Sequence, residues 1–292
     1  MNPQRLALYG QLADVEVIEA NGGRILASIH RALHPLGALS QPEGDPAVID
    51  AGEAWLRSRG CDRVQGPMEV CTWFDYRANL GPSARPPFLF EPQGAADPWT
   101  ERGYKVASEY LSTLANNERQ ILSADVHRAR AASDGFRLRP LRLGHLEEEL
   151  DLLHQISLRG FQSAFSYVDL PRECFRAMYL PYRDQIDPRL VLIAEGELGD
   201  TVGFCFSLPD VLNPERKEFI VKTLAVVPEA RRSGLGSWLV AECHGVAEAA
   251  GYTGGGIHAL MWSGSASRMI TKHGGEPFRE YALFEKALEE PQ

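Results

Sequence analysis

The fold of this chain is decided by one stretch, which reads Val226-Val227-Pro228-Glu229-Ala230-Arg231-Arg232-Ser233-Gly234-Leu235-Gly236-Ser237-Trp238. An apolar run that begins at Leu224 leads into it and is typical of a strand, and Pro228 ends that run. After the two glycines, apolar residues recur at helical spacing. The stretch therefore predicts a strand, a tight turn and the start of a helix.

The turn has the properties of an anion site. Gly234 and Gly236 lack a Cβ atom, so the backbone can approach a ligand closely. A helix that begins there presents N–H groups without acceptors and the positive end of its dipole, and both favour anions. Arg231 and Arg232 add permanently charged donors that suit phosphate oxygens. We expect a pyrophosphate to bind here.

The order of strand, Val-x-Pro and Arg231-x-x-Gly234-x-Gly236 resembles the acetyl-CoA signature of the GCN5-related N-acetyltransferases, the GNAT superfamily. The resemblance implies that the turn holds the pyrophosphate of a co-substrate, acetyl-CoA or another acyl-CoA, while the preceding strand contacts the acyl-pantetheine arm. The coenzyme-binding residues that it implies are Leu224, Ala225, Val226, Arg231, Arg232, Ser233, Gly234, Leu235, Gly236, Ser237 and Ser263. An ordinary glycine-rich connection between a strand and a helix is the alternative interpretation.

The elements around the signature extend the resemblance. From Phe136 to about residue 288 the patterns predict the order β-α-α-β-β-β-α-β-α-β, which is similar to the GNAT arrangement. The expected fold class is α/β, with a mixed α+β sheet. The segment from Asn116 to Gly135 is polar, basic and rich in alanine, which predicts a helix followed by a linker. We therefore expect two tandem GNAT-like domains, residues 1–131 and 132–292, of which the second is catalytic.

The two halves share a faint repeat. Gly103 precedes Tyr110 by seven residues, and Gly274 precedes Tyr281 by the same seven. The N-terminal helix that corresponds to the one after Gly236 opens behind Gln41-Pro42-Glu43-Gly44-Asp45, whose carboxylates would repel an anionic coenzyme. We expect a duplicated chain with a degenerate N-terminal half and a single acyl-CoA site.

Composition narrows the class of protein. The chain has 292 residues, 44% of them hydrophobic, and its net charge of −9 argues against a broad basic face for nucleic acid. The five cysteines form no C-x-x-C pair and predict reduced core thiols. His30 and His34 have the spacing of a metal pair, but Pro35 interrupts any helix there, so no metal is expected. No apolar run approaches the roughly 20 residues of a membrane span. We expect a cytoplasmic monomer or homodimer with no nucleic-acid or membrane partner.

The chemistry follows from the resemblance, which implies direct attack of an amine on the thioester in a ternary complex. Val226 is a catalytic candidate because its backbone N–H would stabilise the oxyanion, and Glu218 on the same strand is a candidate general base. The family's usual tyrosine position holds Ile270, which has no proton to give. Either another hydroxyl such as Tyr281 or Ser263 protonates the thiolate, or the thiolate leaves unprotonated, or the domain binds coenzyme A without catalysis.

The acceptor is less visible in the sequence. Five aromatic residues fall where GNAT enzymes commonly build the acceptor wall, namely Phe161, Phe165, Tyr167, Tyr179 and Tyr182. The expected function is transfer of an acyl group, with acetyl-CoA as the expected donor, to a primary amine of a small metabolite. Two other functions stay open: a non-catalytic CoA-binding or scaffold protein, and a tandem-GNAT transferase that uses aminoacyl-tRNA in place of coenzyme A.

Overall fold

One sheet runs through the molecule. The computed structural model describes residues 3–122, 124–262 and 275–288. The strands in these ranges are β1 (Ala13–Ala20), β2 (Gly23–His30), β3 (Leu36–Leu39), β4 (Glu43–Gly44), β5 (Arg63–Gly66), β6 (Ala78–Asn79), β7 (Lys105–Ala115), β8 (Arg137–Pro140), β9 (Val191–Glu195), β10 (Thr201–Pro209), β11 (Glu218–Val226), β12 (Gly255–Trp262) and β13 (Gly275–Ala287). The helices are α1 (Pro3–Gly10), α2 (Val48–Ser58), α3 (Asp97–Thr100), α4 (Asn117–Leu122), α5 (Ala124–Ser133), α6 (Leu146–Phe161), α7 (Arg172–Tyr179) and α8 (Leu235–Ala249). None of these helices is long and apolar enough to span a bilayer.

The sheet is mixed. Its strand order is β1-β2-β3-β5-β13-β7-β12-β11-β10-β9-β8, with β4 paired to β2 and β6 paired to β13. Within the described residues, β3 pairs with β5 and β11 pairs with β12 in parallel, and the other ladders between strands are antiparallel. The predicted α/β class with a mixed sheet is confirmed.

The two halves exchange their last strands. Both neighbours of β7 in the sheet, β12 and β13, come from the C-terminal half, while β13 lies between β5 and β7 of the N-terminal half. At the centre of the β7–β13 ladder, Tyr110 lies directly opposite Tyr281. These are the two tyrosines of the sequence repeat, so equivalent positions of the two halves pair with each other in this ladder. The predicted domain boundary after residue 131 falls inside α5, whereas the sheet continues across it through the exchanged strands.

Helices α6 and α8 cover opposite faces of the sheet at β11. A Cβ atom placed on Gly160 of α6 would lie 3.3 Å from the Cβ of Ala225. One placed on Gly236 of α8 would lie 3.8 Å from Leu224 and 3.9 Å from Val226. Because successive side chains of a strand point to opposite faces, the strand is buried on both sides, which explains its nearly continuous apolar sequence.

The cysteines belong to the core. All five are free and buried, as predicted. Burial raises the pKa of the Cys71 thiol to about 12 and that of Cys61 to about 11. Because the thiolate is the reactive form, these side chains act as small apolar groups.

The segment Pro86–Pro92 differs from its sequence prediction. Its prolines and apolar residues predict an extended segment or a sheet edge, but it forms a loop outside the strands. The Glu91 N–H donates to the Phe88 carbonyl at 3.1 Å, and Phe90 between them has a φ of 68°. The turn buries the Phe88 ring and leaves the Phe90 ring 37% exposed.

Candidate functional site

Strands β11 and β12 separate half-way along β11. Their ladder covers only Glu218 to Val221, and β12 goes on to pair with β7 up to Trp262. The separation begins at a β-bulge, since β10 pairs with Val221 and then with Thr223, leaving Lys222 as the extra residue. The second half of β11 therefore borders an opening in the sheet.

The backbone of Val226 faces this opening. Val227 N–H donates to the Val202 carbonyl across the β10–β11 ladder at 2.9 Å. Since hydrogen-bonded and non-hydrogen-bonded pairs alternate in an antiparallel ladder, the next pair, Gly203 with Val226, is of the second kind. The N–H and C=O of Val226 therefore point away from β10, and those of Leu224, two residues earlier, do the same.

The turn after β11 leads into the start of α8, where backbone N–H groups can donate hydrogen bonds to a ligand. Arg232 has a φ of 67° and Gly234 a φ of 92°, so the chain bends twice through the left-handed region. The Ser233 hydroxyl donates to the Ala230 carbonyl at 2.8 Å and accepts from the Leu235 N–H at 3.2 Å. These two hydrogen bonds fix the conformation of the turn and connect it to Leu235, the first residue of α8.

The first bond within α8 runs from the Trp238 N–H to the Gly234 carbonyl at 3.0 Å. The Gly236 N–H therefore belongs to the first turn, whose donors have no acceptor inside the helix. With the dipole end of a 15-residue helix behind it, this turn suits an anion.

The two glycines of the signature have different surroundings. A Cβ on Gly234 would lie 3.2 Å from His127 Nδ1 on α5, and its φ already disfavours other residues. At Gly236 the same atom would make only ordinary contacts with β11. The tight turn therefore requires glycine at Gly234 for conformation and space.

The two arginines also differ. Arg231 donates from Nη2 to the Gly160 carbonyl at 2.6 Å and from Nε to the Val226 carbonyl at 3.3 Å. Its side chain thus clamps the end of α6 to the end of β11 rather than extending toward a phosphate. Arg232 next to it is exposed. The structure therefore favours Arg232 as the arginine whose guanidinium is available to an anion.

The corresponding gap of the N-terminal half is filled. A Cβ on Gly66 of β5 would lie 2.0 Å from the Trp99 ring, so the indole packs directly on the backbone there. Its Nε1 donates to Gln41 Oε1 at 3.2 Å, and the Met68 N–H donates to the Leu39 carbonyl at 2.7 Å. These contacts fill the space beside β3. The equivalent space beside β11 in the C-terminal half is the opening described above.

Glu218, predicted as a general base, lies at the opposite end of β11 from Val226. It begins β11, eight residues and about 26 Å of extended strand before Val226. Its carboxylate is 5% exposed and pairs with Arg85 at 2.5 Å and with Arg216 at 3.8 Å. A carboxylate there does not reach a group bound at Val226, and its pairing with Arg85 joins the two halves of the chain.

Tyr281, predicted as a general acid, lies in the interior of the sheet away from β11. It lies on β13, three strands from β11, or about 14 Å at the usual spacing. The phenol is fully buried, donates to the Glu91 carboxylate and lies 3.1 Å from the Ser112 hydroxyl. Burial and the Glu91 carboxylate raise the pKa of Tyr281. The other candidate, Ser263, and the position of Ile270 lie outside the described residues.

The predicted acceptor wall divides into separate groups. Phe161 and Tyr167 each lie 6.1 Å from the Trp73 ring of the N-terminal half. Phe165 packs on the core beside the tyrosine pair of β7 and β13. Tyr179 and Tyr182 lie elsewhere, near the bulge of β11. The aromatic residues that line the open part of the site are therefore the last two.

The bulge residue Lys222 was not among the residues predicted for the site. Its Nζ lies 3.4 Å from the Tyr179 hydroxyl and 5.1 Å from the centre of that ring. The Phe90 ring lies 5.5 Å from the same Nζ on another side. The bulge itself has no signal in the local sequence, because it depends on how β10 pairs with β11. No group of three potential metal ligands occurs in residues 3–122, 124–262 and 275–288.

The similarity of this chain to known proteins lies in its structure and not in its sequence. No family model matches the sequence, and no curated protein matches it. A GCN5-related N-acetyltransferase from Sphaerobacter thermophilus superposes with a TM-score of 0.55 at 14% identity, covering 94% of this chain and 82% of its own. The chain has the GNAT fold.

Two further structures agree with this fold. A tandem GNAT protein from the clavulanic acid biosynthesis pathway gives a TM-score of 0.55 at 12% identity and covers 96% of this chain and 85% of its own. A fungal GCN5-related glucosamine N-acetyltransferase region gives 0.56 at 14% identity over 98% of this chain, which spans 35% of the fungal one. The match to the tandem GNAT protein therefore includes both halves of this chain and most of that protein.

Proposed function

We propose that the protein is an acyl-CoA-dependent N-acyltransferase, with acetyl-CoA as donor and a primary amine of a small metabolite as acceptor. One observation carries the proposal. The opening between β11 and β12 begins at a bulge, presents the Val226 N–H and leads into a turn whose N–H groups start α8. An acyl-CoA needs hydrogen-bond donors at both ends of one groove. The Val226 N–H would serve the thioester oxygen, and the N–H groups at the start of α8 would serve the pyrophosphate.

The residues would divide the work as follows. The turn from Arg232 to Gly236 binds the pyrophosphate, and the second half of β11 holds the pantetheine arm. The amine nitrogen attacks the thioester carbon, and the Val226 N–H donates to the oxygen that becomes negative. The carbon–sulfur bond then breaks, the thiolate leaves, and the amine gives its proton to water. Binding both substrates side by side supplies the proximity that the reaction needs.

Thiol release tests the enzymatic part of this proposal. The protein is incubated with acetyl-CoA and a panel of primary amines, and free coenzyme A is measured with a thiol reagent. The buried cysteines contribute little background in the folded protein. The proposal expects amine-dependent release that Gly234→Asp abolishes, since this substitution adds a carboxylate at the anion site. Release that no amine increases, with any acyl donor tried, contradicts it.

A second function, coenzyme A binding without catalysis, is favoured by one specific observation. Glu218 and Tyr281 both lie away from the opening, and the family's tyrosine position holds Ile270. Calorimetry with acetyl-CoA separates the two functions when it is combined with the thiol assay. Binding together with turnover supports the transferase, and binding without turnover supports the second function.

A further inference from the structure

Lys222 has an unusual position at the opening of β11. It is the extra residue of the bulge, on the last part of the strand that β12 leaves unpaired. Leu224, whose N–H faces the opening, lies two residues or about 7 Å farther along the strand. Lys222 therefore borders the same part of β11 that the proposed function gives to the pantetheine arm, and Val226 lies four residues or about 13 Å farther along the strand.

The Lys222 ammonium has aromatic neighbours instead of a carboxylate. Within the described ranges, its Nζ has no Asp or Glu oxygen within 4.0 Å, and its closest polar contact is the Tyr179 hydroxyl at 3.4 Å. Nearby arginines are paired, as Arg85 is with Glu218 and Arg279 is with Glu91. In a chain with a net charge of −9, this cation borders an opening and has no carboxylate partner among the described residues.

The walls around Lys222 come from both halves of the chain. Phe90 from the N-terminal loop packs on Tyr182 with ring centres 5.3 Å apart. These two rings are 37% and 38% exposed, so they present an apolar surface to solvent beside the ammonium. The loop is fixed by hydrogen bonds to the β10–β11 connection, from the Leu89 N–H to Asp210 Oδ1 at 3.2 Å and from Asn213 Nδ2 to the Pro87 carbonyl at 2.9 Å.

Phe90 is held there at a conformational cost. Its φ of 68° is uncommon for a bulky residue, and such strain persists only where the surroundings impose it. The strained backbone turns the Phe90 ring outward next to Lys222, while the Phe88 ring turns into the core. The chain thus keeps an exposed aromatic ring in a strained turn beside an unpaired ammonium.

We propose that Lys222 binds the carboxylate of the acceptor, and that the acceptor is therefore an amino acid or a related amino carboxylate with an apolar part that packs on Phe90 and Tyr182. This assignment rests on the proposed N-acyltransferase function, since it names the substrate class of the same site. A charge-assisted bond to the substrate carboxylate supplies the partner that the Lys222 ammonium lacks among the described residues. The aromatic walls lower the local polarity and strengthen that bond.

Matched pairs of amines test the proposal kinetically. Phenylalanine is compared with phenethylamine, and leucine with 3-methylbutylamine, because each pair differs only in the carboxylate. Wild type is expected to show the lower KM for the amino acid of each pair. Lys222→Met should raise that KM by about 10- to 100-fold and leave the KM of the plain amine nearly unchanged, while Lys222→Arg should restore most of the difference.

The control is Lys217→Met, which removes an exposed lysine from the turn before β11 and outside the aromatic walls. It is expected to leave both KM values at their wild-type level. Equal KM values for the two members of each pair in wild type overturn the proposal. A Lys222→Met variant that raises the KM of the amine and of the amino acid by the same factor also overturns it.

A binding experiment without a donor separates this inference from the proposed function. N-acetylphenylalanine and N-acetylphenethylamine are titrated into wild type and Lys222→Met by calorimetry, and acetyl-CoA is titrated separately. The inference expects binding of the carboxylate probe that the variant weakens about 10-fold or more. If acetyl-CoA binds but wild type does not prefer the carboxylate probe, the inference is wrong and the proposed function stands. If acetyl-CoA does not bind, the proposed function fails, and the inference is wrong with it whatever the probes show.

Phe90→Gly tests the wall without damaging the fold. Glycine adopts a positive φ freely, so the substitution relieves the strained turn while it removes the ring. It should raise the KM of both members of each pair by a similar factor and leave the melting temperature unchanged or higher. An unchanged KM for all four amines would show that the ring is not part of the acceptor site.

Discussion

Tyr110 and Tyr281 lie directly opposite each other in the ladder between β7 and β13, at the centre of the sheet. They are equivalent positions of the two halves, and each lies on a strand whose sheet neighbours belong to the other half. The duplicated chain is therefore a strand-exchanged pair in which each half completes the other.

The exchange predicts that neither half folds alone. A fragment of residues 1–131 lacks β13 between β5 and β7, and a fragment of residues 132–292 lacks β7 beside β12. Each fragment should lose most of its near-ultraviolet circular dichroism signal, which reports fixed packing of aromatic side chains. Co-expression of the two fragments should recover a soluble complex. A cooperative thermal transition in either isolated fragment would contradict strand exchange as a requirement for folding.

Glu218→Gln should reduce stability and leave coenzyme binding intact. Removing the charge leaves the partly buried Arg85 without its partner, which costs about 1.5–3 kcal/mol in the free energy of unfolding. Denaturant unfolding measures that loss, and the Kd for acetyl-CoA should stay within about twofold. The control is Glu19→Gln, whose carboxylate is exposed and pairs loosely with Arg24 at 3.7 Å. A variant of normal stability with a large loss of kcat would restore Glu218 as a catalytic base.

The buried histidines of α8 and β12 predict that stability falls in acid. His244 Nε2 lies 2.9 Å from His258 Nε2, and His244 Nδ1 lies 2.7 Å from Asn117 Oδ1. Burial lowers the pKa of His258 to about 3, and burial together with His258 lowers that of His244 well below its usual value. In the unfolded chain both titrate near 6.5, so both are neutral in the fold at a pH where the unfolded chain binds protons.

The sign of the effect follows from this difference. The two neutral histidines contribute fully to the free energy of unfolding above about pH 6.5. This contribution declines as the pH falls toward about 3, by about 1.4 kcal/mol per pH unit for each histidine. Urea unfolding between pH 4 and 7 measures the slope. His258→Gln should reduce the slope of the free energy of unfolding against pH by about 1.4 kcal/mol per pH unit, the share of one histidine. A slope that the substitution does not change would show that the pair is not the group responsible.

The two arginines of the signature should respond differently to substitution. Arg232→Asn removes an exposed charge and keeps a residue that tolerates a positive φ, so it should weaken acetyl-CoA binding by about 2- to 10-fold, less at high salt, without lowering the melting temperature. Arg231→Met releases the carbonyls of Gly160 and Val226 and should lower the melting temperature instead. Calorimetry at two ionic strengths and a thermal scan check both. Reversed effects of the two variants would show that Arg231 contacts the coenzyme.

Local patterns predicted the elements that build the site. The apolar run before Pro228 became β11, and Gly234 marks the start of α8, because a strand end and a left-handed turn depend on neighbouring residues. The repeat of Gly103 and Tyr110 likewise indicated the duplication.

What depends on distant pairing was not predicted. The bulge at Lys222 arises from the register of β10, and the outward turn of Phe90 is imposed by the loops that hold it. The position of Glu218 on a strand makes it a candidate, but its distance of about 26 Å from Val226 depends on the full length of β11. Nothing in the local sequence around Tyr281 indicates that β7 and β12 lie between it and β11.

The central claim, that the turn at the start of α8 binds acyl-CoA, is tested most directly by a matched pair of glycine substitutions. Gly234 and Gly251 lie at the two ends of the same helix with φ values of 92° and 96°, so alanine strains the backbone similarly at both. A Cβ on Gly251 meets nothing within 4 Å, whereas one on Gly234 lies 3.2 Å from His127. Calorimetry with acetyl-CoA should give a Kd at least about 10-fold higher for Gly234→Ala than for wild type, and a Kd near that of wild type for Gly251→Ala. Equal Kd values for the three proteins, or no binding to wild type, would contradict the claim.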